Sequence, residues 1–194
     1  HWSSPLMSPE TMMEAMAECV KRGMTRTVGV SNFGQTKMLR AYSTLAQHGI
    51  PLASNQVHYS LLSREVEKNG TLARCKELGI RLIAYSPLEK GLLTGKYSLE
   101  NPPPGVRGNQ YAELLKKIPP VIKLLQEIGL NHGDKTIGQV SLNWLICKGA
   151  LPIPGAKNLL QAEQNAGGAG WKLTEEEVAK LDEATDKIRE YSKS

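Results

Sequence analysis

The sequence has few cysteines, few aromatic residues and no long apolar run. Phe33 is the single phenylalanine, and aromatic residues make up 5% of the 194-residue chain. A membrane-spanning helix needs roughly 18–20 consecutive apolar residues, and no segment approaches that length, so we predict no membrane insertion. The first residues, His-Trp-Ser-Ser-Pro, resemble neither a signal peptide nor a transit peptide. We therefore expect any targeting segment to lie upstream of this chain.

The cysteines are odd in number, lie far apart and form no CxxC pair: Cys19, Cys75 and Cys147. This pattern argues for a reducing compartment and against a disulfide scaffold or a zinc site. None of the four histidines pairs with another at the spacing of metal ligands. The sequence therefore predicts no metal site.

The charge pattern argues against a nucleic-acid partner. The formal net charge is +5, but lysine and arginine alternate with acidic residues along most of the chain. There is no basic run, and no aromatic-rich strand on which bases could stack. A composition of 40% hydrophobic and 22% charged residues is ordinary for a globular domain, and we predict a single domain over residues 1–194.

Short apolar segments alternate with helical ones along the whole chain. Strands are predicted at about residues 27–30, 53–57, 80–85 and 150–153. Helices are predicted at about residues 9–22, 35–48, 66–78, 111–130, 136–148, 159–166 and 174–190. The segment 86–108, rich in glycine and proline, reads as a long loop of the kind that is functional or disordered. This alternation indicates parallel strands joined by crossover helices.

Two architectures fit such a pattern, a closed barrel and an open doubly wound sheet. No GxGxxG follows the first strand, so an open dinucleotide-binding sheet is unsupported. A TIM barrel needs about 250 residues and eight units, whereas this chain has four strands and a possible fifth strand tail at His1-Trp2. We predict an α/β fold: a partial TIM (β/α)8 barrel, units four to eight, with an extra C-terminal helix. Its open edges would be covered by a missing N-terminal barrel half or a protein partner.

Polar residues stand where each predicted strand ends: Ser31 and Asn32, Asn55 and Gln56, Tyr85 and Ser86, and Gly155, Lys157 and Asn158. In a barrel these ends converge on the C-terminal face, where active sites lie. The segments GVSNF, SNQVHYS, LIAYSPLEKGLLTGKY and PIPGAKN, in this order, resemble the aldo-keto reductase family over essentially the whole chain. The resemblance is strongest to the branch with plant plastid reductases and potassium-channel β subunits. It implies an oxidoreductase that uses NADP(H) to reduce a small aldehyde or ketone.

The resemblance assigns the nicotinamide end of the cofactor to strand-end residues. Ser31, Asn32 and Gln56 match residues that hold the carboxamide, and Tyr85 matches the aromatic residue that stacks on the nicotinamide ring. Amide and hydroxyl groups can donate and accept, which suits this task. From the residues alone, strand-end capping and a core tyrosine remain open alternatives.

The resemblance assigns the phosphates to the long loop. The segment that would wrap the pyrophosphate contains Ser86, Pro87, Leu88, Glu89, Lys90 and Gly91. Lys96 and Arg107 match basic residues over the phosphates, although each alone would read as a solvated surface charge. The stretch GLLTGK is one residue short of a P-loop and is followed by tyrosine, so ATP binding is rejected.

The adenosine end is assigned to the last strand and the helix after it. Gly155 and Lys157 precede that helix, and helix N-termini bind anions. The resemblance implies that Lys157 meets the 2′-phosphate of NADP, and that Gln161 and Asn165 contact the adenine. A positive side chain at this point favours NADP over NAD.

Most catalytic residues of the family are absent from the chain. The resemblance implies a tyrosine proton donor, with lysine and aspartate partners on the first three barrel units, and a carbonyl-orienting histidine that His1 matches. His1 could also be simply a first residue with no partner. His58 could reach the substrate pocket, but a surface histidine is favoured. We expect the chain alone to be inactive and to supply the cofactor-binding half.

Two further interpretations stay open at this point. A subunit of a larger complex could hold NADP as a non-catalytic regulatory module, or a degraded remnant could serve protein contacts only. The resemblance to plastid reductases implies a chloroplast location, with the cytoplasm as the alternative. The substrate cannot be read from the chain, because specificity in such barrels lies in loops.

Overall fold

The computed structural model describes residues 6–190, with side chains described as far as Ile188. Within this range the strands are β1 (Val28–Ser31), β2 (Leu52–His58), β3 (Arg81–Tyr85) and β4 (Leu151–Pro152). The α-helices are α1 (Pro9–Lys21), α2 (Gln35–Gln47), α3 (Glu65–Lys68), α4 (Thr71–Glu77), α5 (Val106–Lys117), α6 (Pro119–Asn131), α7 (Ile137–Cys147), α8 (Leu159–Ala166) and α9 (Glu175–Glu190). A 3-10 helix covers Glu89–Thr94.

The chain forms two compact units. The first runs through Tyr59 and takes in Arg64–Tyr85 and Gly149–Leu151. The second takes in Ser60–Ser63, Ser86–Lys148 and the chain from Pro152. The single domain over residues 1–194 stays a prediction.

The sheet has the strand order β1-β2-β3-β4, and β2 runs parallel to both β1 and β3. Its register places Ser31 beside Gln56, and His58 beside Tyr85. The core of the first unit is built from apolar side chains of the strands and of α1 and α2, including Val28, Val30, Leu52, Leu82, Ala84, Met13, Ala17, Met38 and Leu45. Helix-connected parallel strands are what the alternating pattern predicted, so the predicted α/β class is confirmed.

The second unit is largely helical, and its core includes Val121, Leu125, Val140, Leu142, Leu145 and Leu181. Asn143 and Trp144, both buried on α7, connect this helix to the rest of the second unit. Asn143 donates to the carbonyls of Gly168 and Trp171 and accepts from the amide of Leu173. Trp144 Nε1 donates to Asp182 Oδ1 on α9 at 2.9 Å. These bonds fix the chain after α8, and the helix α9, onto α7.

Side-chain caps lie at the starts of α1 and α9. The Ser8 side chain accepts from the Thr11 amide at the start of α1. At the start of α9, Thr174 Oγ1 accepts from the Glu177 amide and Glu177 Oε2 accepts from the Thr174 amide. Such reciprocal bonds satisfy amides that have no partner inside the helix. The predicted starts of both helices are confirmed.

The single helix predicted over residues 66–78 is wrong. The structure has two short helices, α3 and α4, and the break falls at Asn69-Gly70. Gly70 takes a left-handed backbone with φ of 74°, and Asn69 Oδ1 accepts from the Thr71 amide. Asparagine followed by glycine is a strong turn signal, and here it overrides the helical spacing of apolar residues.

Two further boundaries differ from the prediction. The segment 86–108 is not all loop, because it contains the 3-10 helix Glu89–Thr94 and the start of α5 at Val106. The helix predicted over residues 111–130 is two helices, with Pro119 at the first position of α6. Proline favours a first helical turn and cannot donate a bond within the preceding helix.

Within residues 6–190, no helix combines the length and the apolar character needed to cross a bilayer. No group of three or more His, Cys, Asp or Glu side chains in the same range could hold a metal ion.

Asn55 fixes the connection between β1 and α2 in the first unit. Its side chain is fully buried, and Nδ2 donates to the Phe33 carbonyl at 2.7 Å while Oδ1 accepts from the Phe33 amide at 3.4 Å. Residues alternate faces along a strand, so Asn55 and Gln56 point to opposite sides of the sheet. Asn55 is one of the polar residues at the predicted strand ends, but its amide is used within the fold and is not available to a ligand.

We predict that Asn55→Leu lowers the free energy of unfolding by roughly 2–3 kcal/mol, because two buried backbone groups of Phe33 lose their partner. Urea denaturation followed by circular dichroism measures this loss. Asn131→Leu is the matched control, since Asn131 is exposed and should change stability by less than about 0.5 kcal/mol. Equal effects of the two substitutions would contradict the role assigned to Asn55.

Candidate functional site

The ends of β1 and β2 are joined through one carbonyl. The backbone carbonyl oxygen of Gln56 accepts from Ser31 Oγ at 3.1 Å and from the Asn32 backbone amide at 2.8 Å. Ser31 is buried, whereas Asn32 and Gln56 are half-buried. The three polar residues predicted for the nicotinamide end therefore lie together, at the carboxyl ends of neighbouring parallel strands.

Asn32 connects this group to β3. Its backbone is left-handed, with φ of 57°, and its Nδ2 donates to Ser31 Oγ at 3.1 Å. Its Oδ1 accepts from the Tyr85 hydroxyl, also at 3.1 Å. These two bonds fix the orientation of the amide: the oxygen faces Tyr85 and the nitrogen faces Ser31. Left-handed non-glycine residues are uncommon and cluster at functional sites.

Tyr85 is half-buried and lies against His58. The two rings are stacked, with centroids 5.3 Å apart and planes 10° apart. His58 is the last residue of β2 and is itself half-buried. The sequence favoured a surface position for His58, whereas in the structure its ring packs against Tyr85, a predicted site residue.

The side-chain amide of Gln56 makes no hydrogen bond to any residue in the described part of the chain. It is half-buried, and it lies at the strand end beside Ser31. An amide that carries both a donor and an acceptor, and that is not used by the fold, is available to a ligand.

A cavity of about 170 Å³ lies beside the same strand ends. Its lining includes Asn32 and His58, together with Phe33, Gly34, Val57, Val66, Asn69 and Thr71. Four of these eight residues carry polar side chains, so the cavity offers both apolar contact and hydrogen-bonding groups beside the strand ends.

The loop that follows β3 belongs to the second unit and has an unusual backbone. Ser86, Glu89 and Lys90 have φ of 51°, 46° and 53°, and Gly91 follows with φ of 97°. Glu89 is buried, and its Oε1 accepts from Ser60 Oγ at 2.6 Å. Pro87 is buried and Leu88 half-buried. The loop predicted to wrap a pyrophosphate thus contains four residues in the left-handed region and is anchored through buried Glu89.

Gly91 allows a lysine to lie across this loop. A Cβ atom at Gly91 would stand 2.7 Å from Lys96 Cε, so a larger residue would displace that side chain. Lys96 is exposed, with its Nζ 4.5 Å from the centre of the Tyr97 ring. Arg107 is half-buried on α5. Among the described residues, neither cation has a carboxylate partner, so both charges are available.

The start of α8 is braced by its own side chains. Asn158 caps the helix by accepting from the Gln161 amide at 2.9 Å, and Gln161 Oε1 accepts from the Lys157 amide at 2.8 Å. Asn165 Nδ2 donates to the Gly155 carbonyl at 3.2 Å. Gln161 and Asn165, predicted to contact adenine, thus also fix the segment that precedes the helix. The Lys157 side chain is exposed and forms no ion pair in the part of the chain described.

The structure therefore groups the predicted residues into three sets. Ser31, Asn32, Gln56 and Tyr85 contact one another at strand ends of the first unit. In the second unit, the loop from Ser86 to Gly91 with Lys96 forms one set, and the segment from Gly155 to Asn165 forms another. His1, the predicted catalytic histidine, lies outside the described residues.

Ser60 is a supporting residue of this site that the sequence did not predict, and Glu89 was predicted as part of the loop but not as its buried anchor. The signal for Ser60 is weak, because it belongs to a turn in which its hydroxyl accepts from the amides of Leu62 and Ser63. A buried carboxylate needs a partner, and that partner is 29 residues away in the sequence.

Comparison with known proteins gives the same family at the level of sequence. A model of the aldo/keto reductase family matches residues 1–186. The chain is 42% identical over 187 residues to the chloroplastic pyridoxal reductase of Arabidopsis thaliana, covering 95% of this chain and 51% of that protein. It is 33% identical over 187 residues to the aldo-keto reductase yakc [NADP(+)] of Schizosaccharomyces pombe, covering 91% and 53%.

A solved structure gives the same family at the level of fold. The crystal structure of the thermostable aldo-keto reductase Tm1743 with the inhibitor epalrestat matches with a TM-score of 0.75 and 33% identity, over 95% of this chain and 57% of that chain. The partial TIM-barrel fold predicted from the strand and helix pattern is therefore confirmed. The chain spans about half the length of the curated relatives it matches. The chain belongs to the aldo-keto reductase family of oxidoreductases.

Proposed function

We propose that the intact protein binds NADP(H) and reduces aldehydes or ketones with it, and that these 194 residues supply the cofactor-binding part of the site. The observation that carries this proposal is the linked group of Ser31, Asn32, Gln56 and Tyr85. It combines an anchored aromatic ring with an amide that the fold does not use. Membership of a reductase family and a relative whose name includes NADP(+) support it.

The nicotinamide end would be held by the first unit. A carboxamide presents one acceptor and two donors, and the free amide of Gln56 offers the complementary set. Asn32 Nδ2 has a second hydrogen beyond the one given to Ser31. The ring of Tyr85 offers a flat surface on which a planar nicotinamide can stack.

The phosphates would be held by the loop after β3 and by two cations. Ser86, Pro87, Leu88 and Gly91 form a backbone that is already bent into the left-handed region at Ser86 and Gly91. Lys96 and Arg107 have no carboxylate partner among the described residues, so both cations can form ion pairs with the phosphates.

The adenosine end would be held at the start of α8. The N-terminus of a helix attracts anions, and exposed Lys157 adds a full positive charge there. Lys157 would pair with the 2′-phosphate that distinguishes NADP from NAD, with Gly155, Gln161 and Asn165 forming the adenine side. The bonds of Gln161 and Asn165 to the loop support this by holding Lys157 in place before the ligand arrives.

The bound cofactor would supply hydride to a carbonyl carbon. His1 is proposed to orient the carbonyl oxygen, as the resemblance to the family implies. The Arabidopsis relative is named a pyridoxal reductase, chloroplastic. We therefore propose a small aldehyde substrate, with pyridoxal as the first candidate, and a chloroplast location.

We predict that the intact protein binds NADPH more tightly than NADH, and that Lys157→Ala weakens NADPH binding about tenfold with little effect on NADH. A hydrogen bond to a charged group contributes about 1.5–3 kcal/mol, and 1.4 kcal/mol is a factor of ten in affinity. Quenching of tryptophan fluorescence measures both dissociation constants.

Lys172→Ala is the matched control, because Lys172 is an exposed lysine of the second unit outside the three sets of site residues. Tighter binding of NADH than of NADPH by the unsubstituted protein would refute the assignment of Lys157. Equal losses in the two variants would also refute it.

We predict that the intact protein oxidises NADPH in the presence of pyridoxal. We expect the rate with NADPH to exceed the rate with NADH. The loss of NADPH absorbance is measured against a panel of aldehydes and ketones, with a reaction lacking carbonyl compound as the blank. Binding of NADPH without turnover on any member of the panel would contradict reductase activity while leaving cofactor binding intact.

A further inference from the structure

We propose that His58 is a positioning residue, which holds the ring plane of Tyr85 so that its other face can stack on the nicotinamide; this rests on the proposed function. His58 and Tyr85 are partners in the register of β2 and β3, so their side chains leave the sheet side by side. Their rings lie 5.3 Å apart and only 10° from parallel.

The hydrogen bond from Tyr85 to Asn32 cannot set this plane by itself. The phenol oxygen and the Cβ atom both lie on the axis about which a tyrosine ring turns. The hydrogen bond at the phenol oxygen, 3.1 Å long, therefore fixes the position of that oxygen but leaves the ring free to rotate about the Cβ–Cγ bond. The torsion about the Cβ–Cγ bond of tyrosine has a broad, roughly two-fold distribution, so a second contact must select the ring angle.

The stack with His58 supplies that second contact. An offset parallel arrangement at this separation is favourable for aromatic pairs. It places His58 against one face of the phenol ring, and the opposite face is the one that we propose to stack on the nicotinamide. The two contacts act on different motions: Asn32 holds the tip of Tyr85, and His58 holds its plane.

His58 is held firmly enough to act in this way. It is half-buried at the end of β2 and is paired with Tyr85 of β3 in the register of the sheet. It also lines the cavity of about 170 Å³ beside Asn32, so the ring stands at the edge of open space near the predicted nicotinamide end. We expect His58 to act on the ligand through Tyr85, the ring against which it packs.

The test compares binding of NADP⁺ with binding of 2′-phospho-ADP-ribose, which lacks only the nicotinamide. In the intact protein, His58→Ala is expected to raise the dissociation constant for NADP⁺ about threefold to tenfold, the range expected for one aromatic stack. Binding of the nicotinamide-free analogue should stay within about twofold of wild type. His58→Phe keeps a flat ring and should restore most of the lost affinity.

A double-mutant cycle separates action through Tyr85 from direct action. In a Tyr85→Ala background, adding His58→Ala should cause no further loss of NADP⁺ affinity, because the ring that His58 positions is gone. A full additional loss would show that His58 acts independently of Tyr85 and would overturn the inference.

The remaining outcomes are also decisive. Equal weakening of both ligands by His58→Ala indicates general damage to the fold and overturns the positioning role. If the wild type binds NADP⁺ and His58→Ala leaves that affinity unchanged, this inference is overturned and the proposed function stands. Wild-type protein that binds neither ligand overturns the proposed function, and this inference with it.

Discussion

The parallel register of the first three strands is the constraint on which the candidate site depends. Because Ser31 lies beside Gln56, and His58 beside Tyr85, the strand ends deliver these side chains at neighbouring positions along one edge of the sheet. The backbone carbonyl of Gln56 then accepts hydrogen bonds from both Ser31 and Asn32, which connects the end of β1 to β2. A slip of one residue in β2 would send every side chain of that strand to the opposite face and would remove the site.

Much of the fold could be predicted because local chemistry and apolar spacing agreed. Ser8 and Thr174 start helices where their side chains can cap them, and short apolar runs bounded by turns became strands. Prediction failed where a helical spacing of apolar residues ran across a turn. Gly70 supplies a left-handed backbone and Pro119 a new first turn, and each divides a helix that the spacing alone had joined. Both residues are recognisable in the sequence, and at these points turn chemistry overrides the helical spacing of apolar residues.

The candidate site could be predicted as a set of strand-end residues but not as an arrangement. Strand alternation separates Asn55, which is used within the fold, from Gln56, whose amide is free. That distinction was within reach of the sequence. The orientation of the Asn32 amide and the stack of His58 on Tyr85 were not, because each is decided by side chains that arrive from another strand. Long-range register, rather than any motif within one segment, determines these contacts.

Unfavourable backbone conformations are concentrated in the loops that follow β1 and β3. A left-handed conformation costs a residue with a side chain on the order of 1–2 kcal/mol, and Asn32, Ser86, Glu89 and Lys90 all adopt it. Local bonds offset part of this cost: the Asn32 side chain bonds to both of its neighbours in the site, and buried Glu89 accepts from Ser60. These loops are therefore already ordered in the folded chain before a ligand binds. A ligand that binds there need not order them again, which is how a rigid site converts more of its contacts into affinity.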